Sequence, residues 1–439
     1  MKRAARCALR WLIVALAVAT GGAWSTAGAE TLAEAWQLAL ARDKALAAAE
    51  SDVQGAQAAE RAARGARWPS LDANATYARL NASPTLEVTT PTGFTLRSGP
   101  IFKNDEIVAG SVQLKLPLYA GGQISAGIDA AHHTAVGASA GEESARSLLK
   151  LDVAEAYVGV LRARRALQAA SASVESLAAH ASDVQHMVER DLVARSDLLA
   201  ARVALANAGQ DKVRAANSVE VAQAAYNRHL GEALERSPEL DEQIPADVLL
   251  KATSVDALIE RALTSRNEIP AQAARADALA SQAKAESGKV LPQLALIGGY
   301  THFDNQILDR QDFSEVGIGF TWNLFDGGQA RNRAAALRNA GHAAENRLDD
   351  LRSQIELQVR QAWLDLQEAQ ARSKATGEAV AQAEENLRSS RELYGAGLAT
   401  NTQVLDAVTL QINAVNNRNN ATLDESLSLL RLEYAVGAL

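Results

Sequence analysis

Cysteine is all but absent from this chain, with one, Cys7, among 439 residues. It lies ahead of the apolar core of an N-terminal leader rather than at a cleavage site, so it is a poor candidate for a lipid-bearing N-terminus. That scarcity excludes a disulfide framework and a thiolate metal site. Proline is missing from long tracts. All nine prolines lie outside residues 118–237 and 293–439, which leaves room there for unbroken helix. Aromatic residues make up only 4% of the chain. No apolar run after position 30 approaches the length of a membrane-spanning helix. The formal net charge of −8 argues against nucleic acid as a partner. No set of side chains resembles a catalytic constellation. The adjacent His132 and His133 point away from each other on a helix and make a poor metal pair. The chain reads as a non-enzyme with no cofactor.

What is present begins with a secretory leader, residues 1–29. Lys2, Arg3, Arg6 and Arg10 precede the apolar Trp11–Thr20, and Ala27-Gly28-Ala29 offers a cleavage site before Glu30. Ten apolar residues are too few to span a bilayer.

The organising feature is a two-faced strand that runs into a glycine pair and then a long helix, and it occurs twice. In Ser111–Gln123, Val112, Leu114, Leu116 and Leu118 alternate with Ser111, Gln113 and Lys115. In Gly317–Gln329, Ile318, Phe320, Trp322 and Leu324 alternate with Gly317, Gly319, Thr321 and Asn323. A period of two predicts strands with one apolar and one polar face. Gly121-Gly122 and Gly327-Gly328 then read as turns that need unusual backbone angles. The copies extend much further. Leu116–Gly231 aligns with Trp322–Gly437 without a gap, placing Ala156-Tyr157 on Ala362-Trp363 and Leu192 on Leu398.

The chain is therefore two repeats of helix–strand–loop–strand–helix–helix. The first, residues 30–253, is predicted to hold a helix at 31–67 and strands at 71–80 and 108–119. A long helix at 124–190, a return helix at 197–230 and a linker at 232–253 follow. The loop between its strands carries Pro84, Pro91 and Pro100. The second, residues 254–439, is predicted to hold a helix at 255–288, broken or kinked at Pro270. Strands at 294–303 and 314–325, a long helix at 329–393 and a return helix at 402–436 complete it. A helix over 124–190 would be about 100 Å long, more than a single globular domain needs. All six phenylalanines fall in the strand and loop zones, as the aromatic girdles of a membrane barrel would require.

Strands of this length suit a tilted membrane crossing, and only a closed barrel satisfies the backbone in lipid. Four strands are too few to close one, so copies must share a barrel; closure alone allows a dimer or a trimer. A soluble periplasmic coiled-coil adaptor is the alternative reading, and the two-faced strands are the feature it has no use for.

The repeat, the strand–Gly-Gly–helix junctions, Ala156-Tyr157 with Ala362-Trp363, and Tyr394-Gly395-Ala396-Gly397-Leu398 followed by Val404-Leu405-Asp406-Ala407 resemble the TolC-type outer membrane efflux family over nearly the whole mature chain. The resemblance implies an α+β membrane protein: a homotrimer whose four transmembrane β-strands per chain complete a 12-stranded β-barrel in outer-membrane lipid, continued by a long periplasmic α-helical barrel. It implies an exit duct in a tripartite efflux or type I secretion system, docked to a periplasmic adaptor and an inner-membrane pump of RND or ABC type.

The functional region is expected at the helix turns 190–199 and 395–406. Gln403 and Asp406 share a helix face, and Asn413 and Asn420 continue it, with Thr409 and Asn416 beside it. This polar stripe suits a water-lined wall. By resemblance, Asp406 is the acidic ring at the pore constriction, with Gln403 at a neighbouring position that is acidic in the family. Tyr394 and Asp197 match a tie that holds the tip shut. A basic latch residue falls on Ala399, so that ionic link is absent. Gly397, Leu398, Leu192 and Val193 at the hairpin ends are candidates for adaptor contact.

Overall fold

The structure, a computed structural model, describes residues 29–244 and 254–439. All of the expected leader but Ala29, and the end of the linker, lie outside the described residues. The elements in chain order are α1 (Leu32–Arg42), α2 (Lys44–Gly65), β1 (Ser70–Arg79), β2 (Thr85–Thr89), β3 (Thr95–Pro100), β4 (Glu106–Tyr119), α3 (Gln123–Glu189), α4 (Arg195–Leu230), α5 (Val255–Ser265), α6 (Glu268–Ser287), β5 (Gln293–Phe303), β6 (Asp312–Thr321), α7 (Gln329–Gly395) and α8 (Asn401–Ala435). Helices α3 and α7 each run unbroken for 67 residues. Among the described residues no helix is long and apolar enough to cross a membrane.

The elements differ from the sequence expectation in four places. The helix expected over 31–67 is two, because Asp43 takes an extended backbone and its carboxylate accepts the Leu46 N–H at 2.8 Å, starting a new helix as an N-cap does. The helix expected over 255–288 breaks at Arg266-Asn267, not at Pro270. Pro270 instead sits in the first turn of α6, where a missing N–H goes unnoticed. The loop between the first two strands contains a hairpin, β2–β3. Its prolines precede β2 (Pro84), fall in the turn (Pro91) and end β3 opposite Thr85 (Pro100), positions that a two-stranded ladder tolerates, and threonines such as Thr85, Thr89 and Thr95 suit extended backbone. The last strand ends at Thr321, not Phe325. Beyond it the Trp322 indole donates to the Val290 carbonyl at 3.0 Å, and Asp326 accepts the Gly328 and Ala330 N–H groups at 2.8 Å each, starting α7.

The chain divides into two units. One comprises Arg42–Asp152, Asp247–Ser373 and Leu427–Leu439. It holds an antiparallel sheet in the order β1-β4-β5-β6. The register puts Leu71 opposite Leu114 and Ala73 opposite Val112, then Leu116 opposite Leu296 and Leu296 opposite Ile318. One face is therefore apolar across all four strands. The other carries Asp72 opposite Gln113 and Asn74 opposite Ser111. The apolar face is not covered: Leu71, Tyr77, Val316, Ile318 and Phe320 are all well exposed. At one end of it Tyr77 donates to Glu106 at 3.0 Å and Tyr300 to Asp312 at 2.6 Å. Trp68 and Trp322 mark the other end. The outer edges of β1 and β6 pair with no strand among the described residues.

In the same unit, the strand-to-helix turns place Gly121 and Gly122 at φ +60° and +78°, and Gly327 and Gly328 at +68° and +80°. Gly121 is also packed: a methyl group there would lie 2.5 Å from the Gly288 carbonyl oxygen and 2.8 Å from Leu291 Cβ.

The second unit comprises the segment up to Ala41, Val153–Ala246 and Lys374–Ser426. Near its N-terminal segment, Tyr157 and Tyr226 meet edge to face at 5.9 Å. The Glu30 carboxylate accepts the Tyr226 hydroxyl at 2.6 Å and Arg236 at 2.6 Å. Burial raises the Tyr157 phenol to about 12, with the Asp241 charge adding to it. At the hairpin ends of this unit, Leu177, Val184, Leu198, Leu387, Tyr394 and Val404 form an apolar cluster.

Candidate functional site

The two hairpin turns are built by one device. After α3, Asp191 takes a left-handed backbone, φ 56°, and Leu192 N–H returns to the Met187 carbonyl at 2.9 Å. After α7, Gly397 takes φ 74°, and Leu398 N–H returns to the Leu393 carbonyl at 2.8 Å. Both are helix ends of the Schellman kind, which place an apolar residue just past the stop. Here that residue stays outside: Leu192 is 64% and Leu398 77% exposed. Val193 differs from the expectation of a free tip residue, because it packs on the apolar cluster.

The next helices start differently. At α8, Thr400 N–H donates to Gln403 Oε1 at 2.8 Å, and Gln403 N–H approaches Thr400 Oγ1 at 3.4 Å. This is a capping box, so the Gln403 side chain is engaged by the helix start. At α4 the cap position is Ala194, which has no hydroxyl to offer. Asp197, the repeat partner of Gln403, reaches across instead. Its Oδ2 accepts the Tyr394 hydroxyl at 3.4 Å, a long hydrogen bond.

Burial first, then the Asp197 charge, push the Tyr394 phenol up to about 12, above an ordinary value near 10. A raised tyrosine stabilises the fold fully below the unfolded value and stops doing so as the pH rises through the folded one. The neutral hydroxyl, whose ionisation both burial and the Asp197 charge oppose, therefore supports the fold below about pH 10 and no longer does so above about pH 12. In thermal unfolding, wild type should lose its margin over Tyr394→Phe across that window. A margin that stays constant with pH would mean the hydroxyl contributes nothing specific.

Asp406 is exposed on α8, as are Gln403, Thr409, Asn413 and Asn420, while Val404, Ala407, Val408, Ala414 and Ala421 on the other side are buried. The stripe borders a cavity of about 500 Å³ that Asn207 and Asp211 of α4 and Asn413 and Asn416 of α8 line. Sequence reasoning missed His180 and Asn401. His180 Nε2 lies 2.7 Å from Asn401 Oδ1, both residues are only 4% exposed, and Asn401 Nδ2 donates to the Asp197 carbonyl at 3.2 Å. The His180 ring lies against Tyr394 at 5.6 Å. No local pattern joins residues so far apart in sequence. The paired histidines of α3 reach different helices, His132 to Glu60 at 3.1 Å and His133 to Asp277 at 4.0 Å.

The family model for outer membrane efflux proteins matches residues 35–232 and 258–438. The chain belongs to that family. The two matched segments correspond to the two repeats, and the family is one of outer-membrane channels rather than enzymes. Outer membrane protein TolC of Vibrio cholerae is 25% identical over 433 residues, covering 97% of this chain and 94% of its own. The alkaline protease secretion protein AprF of Pseudomonas aeruginosa is 26% identical over 300 residues, 66% of this chain and 62% of its own. The outer membrane protein VceC of Vibrio cholerae has the same fold, with a TM-score of 0.76 at 20% identity over 92% of this chain and 96% of that one. An outer membrane efflux protein has a use for the four two-faced strands, and the soluble adaptor reading is set aside.

Proposed function

We propose that three copies of this outer membrane efflux protein join their four-stranded sheets edge to edge into one barrel of twelve strands. The helices continue it as a periplasmic duct, docked at its tips to an adaptor and an inner-membrane pump. The observation that carries this reading is the sheet itself. It has an apolar face open across all four strands and two edges unpaired among the described residues, and in lipid those edges must be closed. Leu192 and Leu398 are the contact residues for the adaptor, with Gly397 shaping the turn that presents Leu398. The exposed stripe through Asp406 lines the narrowest part of the duct, and the Tyr394–Asp197 tie helps to hold the tip shut. AprF bears the name of a protease secretion protein; the duct suits protein and small-molecule cargo alike, with the pump choosing between them.

Envelope extraction and planar-bilayer recording test this together. The protein should require detergent for release, run as a trimer by native mass spectrometry, and form small cation-selective channels. Release by a salt wash, with no insertion from folded protein, would overturn it.

A further inference from the structure

The geometry points to His180 and Asn401 as the pair that latches the two helical hairpins of each protomer together when the tip is closed. The proposal rests on the reading of the tips as the closed end of the duct. His180 belongs to α3 and Asn401 opens α8, so the bond joins one hairpin to the other. The Asn401 amide is oriented by its donation to the Asp197 carbonyl of α4. That leaves Oδ1 to accept, and His180 Nε2 therefore carries the hydrogen. The His180 ring rests on Tyr394 of α7, whose hydroxyl reaches Asp197. All four helices are thus tied through one circuit. Its link between His180 and Asn401 is 2.7 Å and buried, while the Tyr394–Asp197 link is 3.4 Å and weaker by geometry.

Burial makes this pair a latch rather than a graded brake. Separating the hairpins would strip two buried polar groups of their partners before water reached them, and unpaired buried groups are costly. The closed arrangement is therefore held until the hairpins part far enough to wet both side chains.

The test is planar-bilayer recording of the full-length trimer beside thermal unfolding, for wild type, His180→Phe, Asn401→Leu, their double variant and His180→Gln. Phenylalanine keeps the ring on Tyr394 and loses the donor; glutamine keeps a donor of similar reach. Each single variant should raise open probability about tenfold, the factor that follows from losing one hydrogen bond of ordinary worth. The double variant should open no further than either single one, and His180→Gln should stay near wild type. Variants that unfold at lower temperature while conducting like wild type would reduce the pair to core structure and overturn the latch. Wild-type channels that already conduct as a wide tube would instead overturn the closed-tip reading itself.

Discussion

Alanine in place of Asp406 should enlarge the resting conductance severalfold and take away most of the channel's preference for cations. The residue is exposed on the polar side of α8, one turn beyond the hairpin. In the proposed trimer it supplies three carboxylates to one constriction. Two unit charges about 8 Å apart interact by about 2 kcal/mol at an effective dielectric constant of about 20. A ring of three can thus favour cations over anions by more than tenfold. Removing the carboxylates removes that field and also widens the passage. Gln403→Ala is the companion variant. Because Gln403 is held by Thr400 in a capping box, its loss should weaken the start of α8 and leave selectivity nearly unchanged. A reversal potential in a salt gradient that is the same for wild type and Asp406→Ala would move the constriction elsewhere.

The second large effect belongs to the first strand-to-helix turn. Gly121→Ala should destabilise the protein by about 3 kcal/mol, combining a left-handed backbone with overpacking. The added methyl would press on the Gly288 carbonyl and Leu291. Gly122→Ala and Gly327→Ala share the positive φ but meet nothing within 4 Å, so each should cost only about 1 kcal/mol. Gly288→Ala separates the two causes. Its backbone is ordinary helix, φ −66°, yet a methyl there would strike the Gly121 carbonyl and Gln123. It should resemble Gly121→Ala rather than Gly122→Ala. The readout is the unfolding midpoint of the detergent-solubilised protein. Equal losses at Gly121, Gly122 and Gly327, with none at Gly288, would mean that backbone conformation alone matters and the close approach does not.

The fold was largely legible because its signals are local. Val112, Leu114 and Leu116 alternate along one strand, and the register then aligns them with Leu71, Leu296 and Ile318 on one face. The long proline-free tracts became the 67-residue helices. The misplacements were also local but subtler. Asp43 as a cap, Pro270 in a first turn and the β2–β3 hairpin between prolines are each decided by which backbone group a side chain can serve, and proline or alanine content does not report that.

The candidate site divides along the same line. The exposure of Asp406, Leu192 and Leu398 could be read from the sequence because a helix face and a helix end are set by neighbours three or four residues away. The sequence could not tell that Gln403 turns back on Thr400 while its repeat partner Asp197 reaches for Tyr394. That choice depends on which helix packs alongside. Nor could it pair His180 with Asn401, residues on different hairpins brought together by burial of the apolar cluster around Leu177, Val184 and Val404. Sequence by itself determined the repeat, the two-faced strands and the long helices, since these follow from periodicity within one segment. Only tertiary structure decided which polar groups tie the tips, because a buried hydrogen bond is specified by the packing that excludes water from both its partners.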